Sequence, residues 1–366
     1  MNLVAVAVLV VLLGFLVLVH EFGHFLAAKL LGLKVRKFSI GFGPKLLEFK
    51  KWGTKFSIRA LLFGGYVDIK EEGKNSLQSL GLIGRGLVVL GGVIANFVVA
   101  ILLSGVFLYA KGYKVESLGG EAPLLGEMVV EDRVVVITRV MDNPDLKSKL
   151  PQNCICAIQK VGDTPITSAK HLISVISHIP NNGAPLPLTL KDLTTGKTFT
   201  ITTQLNSKGK LGVEIVDLNM VYWSYTKLPV YPVTAPFAYT IDLSWVSAKF
   251  VYTLIRQAIQ TQDTALLAES VGGPVALYGV VDYMVESKQT WYTFLQLTAL
   301  VSLNLALVNL LPIPPLDGWQ LVYVTLQRFF PSKKLNIYLK YLTYLGFFLL
   351  ILLSILITIK DIKMFL

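Results

Sequence analysis

Charge is what this chain has least of. Asp, Glu, Lys and Arg supply 16% of its 366 residues and hydrophobic residues supply 53%, and so few charges cannot coat a soluble globule of that size. An ordinary soluble multidomain protein is excluded on that ground, and a membrane protein is expected. Acidic residues are the scarcer sign, 23 against 34 Lys and Arg, for a formal charge of +11. In a soluble chain that excess points to nucleic acid. In a membrane chain basic residues gather in cytoplasmic loops and set orientation, so no nucleic-acid partner is expected. Cysteine is nearly absent. Cys154 and Cys156 are too few for a disulfide framework or for a zinc site of their own, and they read as buried structural thiols.

Four runs are apolar and long enough to cross a bilayer, which takes about 20 residues. They lie within 1–31, 86–110, 291–320 and 337–360. The first is not a secretory signal by its pattern, since no Lys or Arg precedes its unbroken run from Leu3 to Val19. The connection 32–85 is rich in Lys and Arg, as is the short one around Arg328, Lys333 and Lys334; both are expected to be cytoplasmic, which places both termini outside the cytoplasm. The long segment between the second and third spans is then extracytoplasmic. Within it, 124–216 alternates in short runs with turn residues between them and one helical stretch near Ala169–Ile179, a small β-rich domain. Residues 217–290 read as a linker followed by a helix over Ser244–Ile259, either amphipathic at the outer surface or packed on the β domain. Inside 32–85, glycines 41, 43, 64 and 65 punctuate apolar runs of β character. A hairpin dipping into the membrane and a peripheral cytoplasmic hairpin both fit this pattern.

The first span ends in His20-Glu21-Phe22-Gly23-His24, an H-E-x-x-H on a helix. Four residues apart, His20 and His24 project from one face and can share a metal ion, with Glu21 placed to act as general base. Two imidazoles and a carboxylate are costly in an apolar span, which argues against a pair of merely structural histidines. A catalytic zinc takes three protein ligands. Ala27 and Leu30 exclude a third His at the spacing of soluble zincins, and Glu48 sits in the window for a distant Glu but among the lysines of a solvated loop. Asp317 is the better candidate: it follows the third apolar run in Asn309-Leu-Leu-Pro-Ile-Pro-Pro-Leu-Asp317-Gly318, where a metal would supply the partner a carboxylate needs. The alternative for Asp317 is a helix cap. His171 and His178 are expected to face solvent.

H-E-F-G-H in the first span and N-x-x-P-x-P-x-L-D-G after the third resemble the site-2 protease family of intramembrane zinc metalloproteases, bacterial RseP type. Phe38–Gly43 and Gly64–Val67 resemble that family's membrane-reentrant β segment, Gly91–Asn96 its second-span Asn motif, and Gly272-Gly-Pro274 a segment before the third span. The likeness covers nearly the whole chain. It departs at Val93, where a Pro is usual, and at Trp319, where a Gly often stands. It implies four transmembrane helices, a reentrant β segment and an extracytoplasmic PDZ-like domain, with Gly162–Ile179 resembling the late strand and helix of a PDZ fold. It further implies Zn2+ on His20, His24 and Asp317, Glu21 as the base, and Asn304 and Asn309 as residues that hold the substrate strand or orient the site. Gly64, Gly65 and Tyr66 would pair with an extended substrate.

The expected activity is zinc-dependent endoproteolysis within the bilayer of the bacterial inner membrane. The expected substrates are transmembrane proteins already shortened outside by another protease. Two rivals belong to other classes. A metal transporter would bring more polar spans and internal repeats than the sequence has, and a non-catalytic scaffold would have no use for Glu21.

Overall fold

Helix α1 (Leu3–Leu30) begins at Asn2, whose side chain accepts the amide of Val4. A run this apolar has no polar side chains to pair its backbone, and a helix satisfies every amide internally. The computed structural model describes residues 2–70, 73–117, 121–151, 154–193, 196–262, 270–330 and 332–365.

Strands β1 (Val35–Lys51) and β2 (Thr54–Ile69) follow, joined by Trp52 and Gly53 with φ of 50° and 72°. Two positive φ values make the tight turn whose twist matches a hairpin. Each strand is long and folds back on itself, and the register makes four ribbons out of two strands. Ser39 lies opposite both Tyr66 and Ser57, and Ser57 opposite both Ser39 and Glu48. The ribbon order is therefore 65–69, 35–40, 54–58, 47–51. Gly41, Gly43 and Gly64 sit where the strands change partners, with φ between 80° and 83°, which a side chain would oppose. Ribbon 65–69 is one edge of this sheet. Phe25 of α1 packs on Phe38 and Phe56, tying the sheet to the helix.

Helices α2 (Leu82–Val89) and α3 (Gly91–Ala110) come next. A Cβ on Gly23 would collide with the carbonyl of Gly91, and one on Gly91 would come within 2.6 Å of the carbonyl of Gly23. The absence of side chains at that crossing lets α1 and α3 approach backbone to backbone.

Residues Tyr113–Lys227 form a compact unit of their own. Its elements are β3 (Lys114–Glu116), β4 (Glu127–Val140), α4 (Pro144–Lys149), β5 (Cys156–Val161), β6 (Thr164–Pro165), α5 (Ala169–Ser177), β7 (Leu186–Asp192), β8 (Thr198–Thr203) and β9 (Val213–Ser224). The seven strands make one sheet in the order β3-β9-β4-β5-β7-β8, with β6 on β5. Leu172 and Ile176 of α5 close a core with Val135, Ile158, Leu188 and Leu190. The unit is longer at both ends than the 124–216 read from sequence, because β3 and the second half of β9 pair across its termini. The reading of Cys154 and Cys156 as free thiols is corrected: they are bonded to each other, with Cα atoms 5.3 Å apart. Too few cysteines for a framework are still enough for one local ring.

The second unit comprises the chain before Tyr113 and after Lys227. Beyond Lys227 it adds α6 (Tyr231–Thr261), α7 (Pro274–Glu286), α8 (Trp291–Asn309), α9 (Asp317–Phe329) and α10 (Lys333–Phe365). The helix expected over Ser244–Ile259 is 31 residues long and starts at Tyr231. Pro232 falls at the helix start, where its missing N–H costs nothing. The third run also differs from expectation, since α8 stops at Asn309 and Asp317 opens the separate helix α9. Among the described residues four helices, α1, α3, α8 and α10, are long and apolar enough to cross a membrane.

Candidate metal centre

His20 and His24 leave α1 on the face turned to α3. A Cβ on Gly92 of α3 would stand 2.6 Å from His20 Cε1 and 2.6 Å from His24 Nε2. Glycine at 92 is what leaves the imidazoles room. Each ring is held at its far nitrogen. His24 Nδ1 lies 2.9 Å from the carbonyl of Val88, an acceptor only, so Nδ1 donates there and Nε2 is the nitrogen that a metal would take. His20 Nδ1 lies 3.2 Å from the side-chain amide of Asn96, which is fully buried. The amide oxygen of Asn96 has no partner. Turning the amide lets that oxygen accept the Nδ1 proton and bares Nε2 of His20 as well. Ser302 of α8 donates to the Asn96 carbonyl at 2.9 Å and ties the third helix to the same point.

Asp317 closes the group from the other side of the sequence. The loop from Leu310 to Leu316 folds back so tightly that a Cβ on Gly318 would strike the carbonyl of Leu310. The cap of α9 is Leu316 and makes no side-chain cap bond, so the helix-cap alternative for Asp317 is not what the structure has. Its Oδ2 is buried without a hydrogen-bond partner. It faces His20 Nε2 at 3.2 Å and His24 Nε2 at 3.4 Å, and the two Nε2 atoms are 3.3 Å apart.

With both Nδ1 atoms protonated, three electron pairs converge on one point, a repulsive arrangement that a cation would turn attractive. The spacing fits a tetrahedral cation such as zinc. Tetrahedral bonds of about 2.0–2.1 Å to nitrogen and oxygen put ligand atoms about 3.3 Å apart. His20, His24 and Asp317 are also the one group of three metal-competent side chains that converges among the described residues.

The triad borders a cavity of about 270 Å3 lined also by Glu21, Gly65, Tyr66, Val67 and Gln320. A Cβ on Gly65 would come within 2.7 Å of Glu21 Cγ, so the bare ribbon edge at 65 is what lets the sheet lie against the carboxylate. Arg59 donates to Ser39 Oγ at 3.0 Å, to the Gly43 carbonyl at 2.8 Å and to Tyr66 Oη at 3.3 Å, fixing Tyr66 on that edge.

Of the residues expected from sequence, His20, Glu21, His24, Gly65, Tyr66 and Asp317 meet at this cavity. Gly64 supplies the bend beside it. Asn304 and Asn309 are not among the cavity's lining residues; Asn304 is exposed on α8 and Asn309 half-buried at its end. Glu48 is remote from the group, ion-paired with Lys45, whose ammonium holds its carboxyl below the usual carboxylate range. Val88 and Gln320 lie outside the expected residues, and Gly92 lies within the Gly91–Asn96 motif with no role assigned to it. A backbone carbonyl leaves no mark in a sequence. Asn96 had one in plain view, as a lone amide in an apolar span.

A convergent His, His and Asp beside a Glu, with both histidines on a helix fit to span a bilayer, is the donor set of a membrane metalloprotease centre. The model of peptidase family M50 matches residues 8–353, and the chain belongs to that family. It is 28% identical over 363 residues to the membrane metalloprotease ARASP, chloroplastic, of Arabidopsis thaliana, covering 94% of this chain and 76% of that one. It is 26% identical over 373 residues to a protein of Clostridium acetobutylicum that carries the name of a zinc metalloprotease, covering 99% and 98%. A Nostoc protein so named is 28% identical over 339 residues, covering 89% and 85%. The chain is a zinc metalloprotease of the membrane.

Proposed function

We propose that this protease is an endopeptidase that cuts transmembrane segments of other proteins within the bilayer, with zinc on His20, His24 and Asp317. The observation that carries the reading is the triangle of bare ligand atoms with sides of 3.2, 3.3 and 3.4 Å, set among helices long and apolar enough to span a membrane. Bound there, zinc supplies a Lewis acid that polarises the scissile carbonyl and acidifies a water. Glu21 takes the proton of the attacking water and passes it to the leaving amine. Val88 and Asn96 hold the imidazoles in the tautomer that presents Nε2.

A transmembrane helix hides its carbonyls, so the substrate must become extended before attack. Ribbon 65–69 has one side paired with 35–40 and, among the described residues, no partner on its other edge. An unwound substrate adding to that edge would present its backbone beside Glu21. Asn304 and Asn309 keep their proposed role in holding the substrate strand.

We place the β-rich unit outside the cytoplasm of a bacterial inner membrane, with both termini on the same outer side. The Cys154–Cys156 bond supports an oxidising compartment, and the basic residues of 32–85 support the orientation. The unit is read as PDZ-like: α5 lies along β9 with a groove of about 560 Å3 between them. Substrates would arrive already trimmed by another protease, and the unit would act on access, leaving the chemistry to the helices.

The test is cleavage of a single-span model substrate by purified protein in detergent or vesicles. Wild-type protein with zinc should cut within the span, and Glu21→Gln should retain zinc and lose cleavage. Cuts confined to loops outside the span would reject the intramembrane reading.

A further inference from the structure

A second cavity, of about 400 Å3, adjoins the metal centre and shares Leu77, Val89 and Gln320 with it. Arg85 of α2, Trp319 and Tyr323 of α9, and Lys340, Thr343 and Tyr344 of α10 are among its walls. Two of its lining residues are cations and none is an acid. Arg85 is half-buried and gives hydrogen bonds to the carbonyls of Leu80 at 3.0 Å and Gln78 at 2.7 Å, which leaves guanidinium donors over. Among the described residues neither Arg85 nor Lys340 has a carboxylate partner. Arg85, half-buried, and Lys340, exposed with its ammonium 6.0 Å from the Tyr344 ring, put two cations without a carboxylate on one largely apolar cavity, a setting that suits the charged end of an amphipathic anion.

The surroundings say which anion. At this end α10 carries Lys333, Lys334 and Lys340 and exposes Tyr338, Tyr341 and Tyr344, the basic and aromatic signature of a headgroup layer. One turn further along, α10 exposes Leu345, Phe348 and Leu352, a surface for acyl chains leading away from the cavity. Trp319 in the cavity wall is tied to α10, its indole donating to Thr343 Oγ1 at 2.8 Å. We propose that this cavity binds the phosphate headgroup of an anionic phospholipid, with its chains lying on α10. The site has a consequence for the metal centre. The Val88 carbonyl that orients His24 belongs to α2, the same short helix that carries Arg85. A headgroup bridging Arg85 and Lys340 would tie α2 to α10 and steady that carbonyl. The proposal rests on the membrane reading and is independent of the cleavage chemistry, because its readout is lipid binding.

Native mass spectrometry of the zinc-loaded full chain, with dioleoyl phosphatidylglycerol or phosphatidylcholine added at equal concentration, tests it. Wild-type protein should retain phosphatidylglycerol preferentially, and each cation removed should cost about fivefold in that preference. Arg85→Gln and Lys340→Gln should each weaken it, and the double variant should abolish it. Arg85→Lys with Lys340→Arg keeps both charges and should keep the preference, which covers the case in which the double Gln variant does not fold. Equal retention of the two lipids by wild-type protein would overturn the proposal, as would a preference that survives loss of both cations. Displacement of the lipid by inorganic phosphate at about 10 mM, well below what screening alone requires, would assign the cavity to a soluble anion and overturn the lipid.

Discussion

Asp317 and Asp361 are both buried in the helical unit, and their surroundings are opposite. Asp361, near the end of α10, is 2% exposed, and its Oδ2 accepts the amides of Gly273 at 2.8 Å and Ala276 at 3.1 Å. Those are orphan donors at the start of α7, and the adjacent Lys360 stands 3.2 Å from the other oxygen. Asp317 is 7% exposed and finds no donor, only two imidazole nitrogens that also want a proton or a metal. A satisfied buried carboxylate is a staple between helices; an unsatisfied one is half of a site. Burial is the same in both, and the donor count separates them.

That contrast can be broken by experiment. The largest effect belongs to the metal triad: His20→Ala, His24→Ala and Asp317→Ala should each lower zinc affinity by orders of magnitude, measured by metal content after dialysis, because three protein ligands are the working minimum. Asp361→Ala should leave zinc content at the wild-type level. Next comes Glu21→Gln, which keeps the proposed ligands and removes the proposed base. Cleavage of a single-span peptide should fall by about 10²–10⁴-fold with zinc unchanged, and loss of zinc together with activity would mean that Glu21 is a ligand. Asn96→Ala removes only the partner of His20 Nδ1, so zinc affinity or turnover should drop about 10–100-fold. An Asn96→Ala protein with wild-type affinity and rate would show that the His20 ring is held by packing alone. The smallest effect is that of Asp361→Ala on stability, about 1–2 kcal/mol from the lost cap, read as a shift of the unfolding midpoint in detergent.

The same pair of residues shows how much the sequence could tell. Asp317 was legible because prolines break the apolar run just before it and because two histidines elsewhere lacked a third ligand. Asp361 was not, since a carboxylate near the charged end of a long helix looks like an ordinary terminal residue until α7 is seen to bring Gly273 against it. The four long apolar helices were legible from apolar length and needed no tertiary information, although the third ends at Asn309, short of the run read to 320. The ribbon order of β1 and β2 was out of reach, because each strand pairs on both sides and the bends at Gly41, Gly43 and Gly64 decide which neighbour follows. In the β-rich unit, alternation located β5, β7, β8 and the second half of β4. Its first and last pairings, Lys114 with Ser224 and Glu116 with Tyr222, join residues more than a hundred positions apart and leave no local pattern. The Cys154–Cys156 bond is not legible from the cysteine count, because two cysteines exclude a framework and leave a local ring possible.

The most direct test of the central claim is X-ray absorption at the zinc edge of purified wild-type protein and of Asp317→Asn. The account predicts, for wild type, a shell of two imidazole nitrogens and light oxygen donors at about 2.0–2.1 Å, and for Asp317→Asn a loss of bound zinc or a shell short of its carboxylate. An identical shell at full occupancy in the two proteins would contradict it and take Asp317 out of the metal site.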